Sequence, residues 1–135
     1  MITKTTLDTL YLINDSNRMV SVEIVIGDQG QTSSLIVSLN DEVIVPDPNS
    51  NPSETAHSGN LPKTAIKENK LLHGKNLKIQ AVITDTSKET NITSLTVKLS
   101  GGFITRTYPL YKMVDKEGES ADYYCYIEFT NSTKL

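Results

Sequence analysis

The sequence predicts an all-β antiparallel sandwich of about eight strands, and three observations predict it. Two runs, 76–84 and 92–100, alternate apolar and polar residues cleanly. That period of two puts successive side chains on opposite faces of a sheet and marks each run as a half-buried strand. Further runs of β-forming residues recur at fairly even spacing with polar turns between them, the pattern of sandwiches and barrels. No stretch carries a helical apolar stripe over three or more turns, and Ser and Thr make up about a fifth of the chain, which suits solvated strand faces. A chain of 135 residues fits one domain, read as spanning 1–135 around a single core.

In order, residues 5–13 form a first strand and Asn14–Arg18 a turn by composition. Met19–Ile26 is a stronger strand, with Val20, Val22, Ile24 and Ile26 on one face. The segment 27–31, with its two glycines, reads as a hairpin turn into a third strand at Ser34–Leu39. A short run, Glu42–Val45, ends at Pro46. Pro46, Pro48, Pro52 and Pro62 then lie among Asp, Asn, Ser and Gly, which makes 46–62 a long loop, and loops above about 12–15 residues are often functional. Residues 63–74 have Pro62 before them and Gly74 after, the polarity of a helix, but no apolar stripe. They read as irregular, with at most one short helix.

The runs 76–84 and 92–100 follow, joined by the wholly polar segment 85–91, and read as an antiparallel hairpin. The fold is thus expected to rest on hairpins 19–39 and 76–100. Gly101-Gly102 signals a tight turn. Phe103–Tyr108 returns as a strand, Pro109 interrupts it, and Leu110–Val114 resumes, which favours an edge strand because proline cannot donate to the ladder. After a charged turn at 115–120, residues 121–130 form the last strand. Ala121, Tyr123, Cys125, Ile127 and Phe129 share its core side.

Composition excludes several function classes. A net charge of −3 gives no basic footprint for nucleic acid. No apolar run approaches the ~20 residues of a membrane span, and the first residues lack the pattern of a secretory signal. Cys125 is the only cysteine, so no intrachain disulfide can form. These features fit a cytoplasmic setting or export by a signal-less route. Catalytic candidates reduce to His57, His73 and Cys125, the last on the core side, where a free thiol behaves as a small hydrophobe. No phosphate loop, nucleophile elbow or dinucleotide fingerprint is present. The expectation is a protein that is not an enzyme and holds no cofactor or metal. Asp47, Asn49, Asn51 and Glu54 begin like a calcium loop, but Pro52 stands where the glycine belongs and Ser58 where the bidentate Glu belongs. They read as turn formers. Lys63, Lys67, Lys70, Lys75 and Lys78 read as a solvated face rather than an anion site.

Aromatic residues are the one unevenly distributed feature. Phe103, Tyr108, Tyr111, Tyr123, Tyr124, Tyr126 and Phe129 lie in the last third, and Tyr11 is the only other. Tyr124 and Tyr126 share the outer face of the last strand with Asp122 and Glu128, an arrangement able to anchor a protein or stack on a sugar. The candidate binding set is Tyr124, Tyr126, Asp122, Glu128, Tyr108 and Tyr111. The expected role is a recognition or assembly module that binds a protein partner, or itself, through an aromatic-rich sheet face. A carbohydrate-binding module using the same tyrosines is the alternative. A pore-forming toxin component is a third reading, since Ser/Thr-rich strands can line an aqueous barrel.

The stretch Glu119-Ser-Ala-Asp-Tyr-Tyr-Cys125 resembles the penultimate strand of immunoglobulin variable domains, with Glu119, Ala121, Tyr123 and Cys125 at the matching alternate positions. The resemblance implies that Tyr123 would be a tyrosine-corner residue. It covers about seven residues. The second cysteine and the tryptophan of that family are missing, and ten residues follow Cys125. An immunoglobulin-like sandwich without the disulfide and a jelly-roll-like one are the two expected topologies.

Overall fold

The computed structural model describes residues 3–27, 31–45, 60–85 and 91–131. Within them lie nine strands: β1 (Thr3–Ile13), β2 (Met19–Gly27), β3 (Gln31–Leu39), β4 (Glu42–Val45), β5 (Leu61–Glu68), β6 (Asn76–Thr84), β7 (Ile92–Ser100), β8 (Arg106–Met113) and β9 (Ser120–Asn131). The only helical element among the described residues is a 3-10 turn at Asn69–Leu71. The strands form two sheets, a five-stranded one in the order β1-β9-β6-β3-β4 and a four-stranded one in the order β5-β2-β7-β8. β1 runs parallel to β9, and every other pairing is antiparallel.

Periodicity placed the core correctly. Leu77, Ile79, Ala81 and Ile83 of β6, Leu95, Val97 and Leu99 of β7, and Ala121, Tyr123, Cys125, Ile127 and Phe129 of β9 are all buried. With Val20, Val22 and Ile24 of β2 they fill the space between the sheets. The central strands each bury one face, and the two apolar faces close on each other because neither is stable in water alone.

Both expected hairpins are corrected. β2 lies in the four-stranded sheet and β3 in the five-stranded one, so the chain crosses between sheets after Gly27. The same holds for β6 and β7. Only β3–β4 and β7–β8 are consecutive strands that pair with each other. A polar linker serves an arch between sheets as well as a hairpin within one, and alternation fixes the buried face without naming the neighbour. β5 corrects the expected irregular segment, with Pro62 tolerated because β5 is an edge strand. Pro109 sits on the other edge of that sheet, in β8. Phe103 and Ile104 are bends, and the strand begins only at Arg106. The remainder of the expected 46–62 loop, residues 46–59 with its calcium-like positions and His57, lies outside the described residues.

Polar ties join the sheets where they are buried. The Thr93 hydroxyl on β7 donates to the Lys112 carbonyl at 2.7 Å, so it accepts the proton of the Tyr123 hydroxyl on β9 at 2.6 Å. Tyr123 therefore reaches across to the facing sheet from β9, the last of the nine described strands. Tyr11 donates to the Ile104 carbonyl at 2.6 Å, accepts from the Gly102 N–H at 3.1 Å, and meets Phe129 edge-on at 6.2 Å between ring centroids. Gly102 fits because a Cβ there would come within 2.5 Å of Tyr11 Cε2 and 2.8 Å of the Leu12 carbonyl oxygen. Gly101, at φ 92, would drive a Cβ into the Met19 carbonyl.

Asn69, with no exposure to solvent, donates through Nδ2 to the carbonyls of Arg18 (2.8 Å) and Gly101 (2.9 Å) and accepts from the Asn14 N–H (3.2 Å). Asn69→Ala strands the Asn14 donor and the Gly101 acceptor, so urea denaturation should show a loss of about 2–4 kcal/mol. A loss below about 0.5 kcal/mol would mean the amide is not holding this corner.

Candidate functional site

The outer face of the five-stranded sheet collects most of the expected binding residues. Because β1 and β9 are parallel and in register, Lys4 stands opposite Asp122, Thr6 opposite Tyr124, Asp8 opposite Tyr126 and Leu10 opposite Glu128. β6 continues these rows with Val82, Gln80, Lys78 and Asn76 in the same order. In the next strand Ile36 stands beside Gln80 and Ser38 beside Lys78. The face therefore sets two aromatic rings among charged, polar and a few apolar side chains. Among the described residues no element lies over it, and Leu10 (51%), Tyr126 (38%), Asp8 and Glu128 are exposed.

Lysines approach both rings. Lys4 Nζ lies 4.6 Å from the Tyr124 centroid, and Lys78 Nζ lies 6.0 Å from that of Tyr126. A cation over an exposed ring contributes roughly 0.5–1 kcal/mol. Tyr124 is thus half-buried and already engaged, whereas Tyr126 is the more exposed and more loosely held ring.

Beside Tyr126 the face dips. Asn40, Asp41, Asn76, Lys78 and Tyr126 line an open depression of about 460 Å³. Its rim is the β3–β4 turn, where Asn40 and Asp41 both take positive φ, 47 and 69. Asn and Asp tolerate that region better than other side chains, and two such residues make the tight hairpin turn whose twist matches its strands. The turn is pinned to the start of β6. The Asn40 N–H donates to the Asn76 carbonyl at 2.9 Å, and Asn40 Oδ1 accepts from the Asn76 N–H at 2.8 Å.

Tyr108 and Tyr111 do not join this surface, because β8 belongs to the other sheet. Tyr108 points inward, packed against the core, and burial pushes its phenol above the usual 10.0. Tyr111 is 63% exposed on the outer face of the four-stranded sheet. The six expected residues thus divide into a set of four on one sheet and two single residues on the other. Sequence reasoning missed Asn40, Asp41, Asn76 and Lys78 as neighbours of Tyr126. Asn40-Asp41 between two apolar runs carries a hairpin signal, but its approach to β6 has no sequence signature. The expected lysine run also divides. Lys63 and Lys67 lie on β5, Lys70 sits 3.7 Å from Glu68 on the 3-10 turn, and Lys78 is on the opposite sheet.

A second depression of about 460 Å³ lies between the edge strands β4 and β5, lined by apolar side chains with Glu42 and Thr64. Cys125 is fully buried. Among the described residues no group of three or more His, Cys, Asp or Glu could hold a metal, and no helix is long and apolar enough to cross a membrane. No protein-family model, curated protein or solved structure matches the chain. What the observations define is an all-β module of two packed sheets with one solvated, mixed-charge tyrosine face.

Burial pushes the Cys125 thiol from 9.0 up to about 12. In the folded protein it should resist thiol reagents at mildly alkaline pH and react fully once denaturant is added. The unfolded thiol ionises first, so stability present below pH 9.0 falls as pH rises through 9.0 toward about 12. Denaturation midpoints across about pH 8–10 should fall less steeply in Cys125→Ala than in the parent. Equal slopes would show that the thiol does not carry this term.

Proposed function

We propose that this protein is a recognition module that holds a macromolecular partner non-covalently on the outer face of its five-stranded sheet, a protein being the occupant that a face of this kind suits. The observation that carries the reading is the register of β1, β9 and β6, which sets Tyr124 and Tyr126 among Lys4, Asp8, Lys78, Asp122 and Glu128 on a solvated surface. Aromatic rings supply contact area at a low entropy cost, and charges around them set orientation and exclude wrong partners. The burial of Cys125 supports a binding role over thiol chemistry, because an inaccessible, protonated thiol is a poor nucleophile. The depression beside Tyr126 favours a second, smaller ligand class at the corner of the same face.

Tyr124→Ala with Tyr126→Ala tests the face. Both rings are on the solvated side, so the double variant should unfold within about 1 kcal/mol of the parent. Its affinity for a captured partner, or its self-association in light scattering, should fall tenfold or more, about 1.4 kcal/mol. A folded double variant that binds and assembles like the parent would falsify the assignment.

A further inference from the structure

We infer that the depression beside Tyr126 is a saccharide subsite that takes the ring of a neutral pyranose. The inference rests on the outer face of the five-stranded sheet being the recognition face, and it adds the chemistry of what enters one corner of it.

The lining supports that chemistry and opposes the others. Its volume of about 460 Å³ lies in the range that holds a small organic ligand. One wall is the exposed ring of Tyr126, whose apolar face can lie against the C–H face of a sugar ring. The rest are polar groups of three kinds. Asp41 offers two acceptor oxygens, Lys78 offers ammonium donors, and the amides of Asn40 and Asn76 offer donors and acceptors. A pyranose presents neighbouring hydroxyls that each donate and accept, which is the pattern such a mixed set satisfies. Asn40 is already oriented, because its Oδ1 is committed to the Asn76 N–H at 2.8 Å, and that leaves its Nδ2 donors to a ligand. The same bond fixes the rim against the floor, so part of the site is formed before anything binds.

Other ligands fit less well. An apolar molecule would meet one aromatic wall and four polar side chains left without partners, a desolvation cost that the ring cannot offset. A phosphate or other anion would find a single cation, Lys78, with Asp41 opposing it. A divalent cation would find one lining carboxylate and an ammonium, too few oxygen ligands for a hard ion.

Methyl glycosides of glucose, galactose and mannose, titrated into the full chain, test the inference by amide proton–nitrogen NMR. At least one should give saturable shifts concentrated at residues 40, 41, 76, 78 and 126, with a Kd of roughly 1–10 mM, as expected for one shallow ring site. Tyr126→Ala and Asp41→Asn should each weaken it about tenfold or more. The second variant keeps a side chain that accepts positive φ. Tyr111→Ala, on the other sheet, should leave the shifts unchanged, and melting curves check that each variant is folded. Three outcomes overturn the subsite: no saturable shift at those positions up to about 100 mM of any glycoside, shifts seated elsewhere, or binding that survives in folded Tyr126→Ala. If the subsite fails while the Tyr124/Tyr126 double variant still loses its macromolecular partner, the face stands without a sugar site. If sugars bind at the depression and the double variant keeps its macromolecular partner, the subsite stands and the face reading alone fails.

Discussion

The side chain of Asn69 reaches three backbone groups from separate parts of the chain: the N–H of Asn14 after β1, the carbonyl of Arg18 before β2, and the carbonyl of Gly101 after β7. Its own N–H also donates to Arg18, and Lys70 donates to Ser16, so the 3-10 turn is docked on the β1–β2 connection. Most connections in this fold leave one sheet for the other. Each such crossing takes backbone groups out of a ladder and must find them partners, since a buried unpaired group costs as much as a lost hydrogen bond. At this corner one amide, using both donors and its acceptor, meets that demand for the crossing from β1 to β2 and for the end of β7. The adjoining glycines let the chain pass close to Tyr11 and Met19, and Phe103 N–H then returns to the Leu12 carbonyl at 2.9 Å. These contacts hold the end of β1 against the connection between β7 and β8.

The place of β1 in its sheet also shapes the recognition face. β1 is held along the whole of β9 in parallel register, so its side chains extend each row of the outer surface by one place. Lys4 reaches Tyr124 only because of that pairing. The two tyrosines consequently differ in kind. Tyr124 is covered by a neighbouring ammonium and contributes to the coherence of the sheet, as cross-strand pairs do. Tyr126, at the edge of a depression and with its lysine farther away, keeps more of its ring for a ligand.

The core and the outward set on β9 were legible because burial follows a period of two. Ala121, Tyr123, Cys125, Ile127 and Phe129 are inside, and Asp122, Tyr124, Tyr126 and Glu128 are on the other side, as their alternation requires. Tyr108 and Tyr111 show the limit. They are three residues apart, so they point to opposite faces of β8, and nothing local says that β8 belongs to a different sheet from β9. The resemblance of 119–125 to one immunoglobulin strand illustrates the same point, since a half-buried strand with a buried Tyr and Cys can occupy different places in different sandwiches.

By itself the sequence determined that this chain makes strands, which face of most of them is buried, and that Pro109 keeps its strand to an edge, because these depend on side-chain period and backbone chemistry within a few residues. Tertiary structure alone decided that β2 and β3, and likewise β6 and β7, belong to different sheets, that β1 lies parallel to β9, and that Asn40, Asp41, Asn76 and Lys78 surround Tyr126. Those outcomes depend on which apolar face closes on which, a free energy summed over the whole core that no single segment encodes.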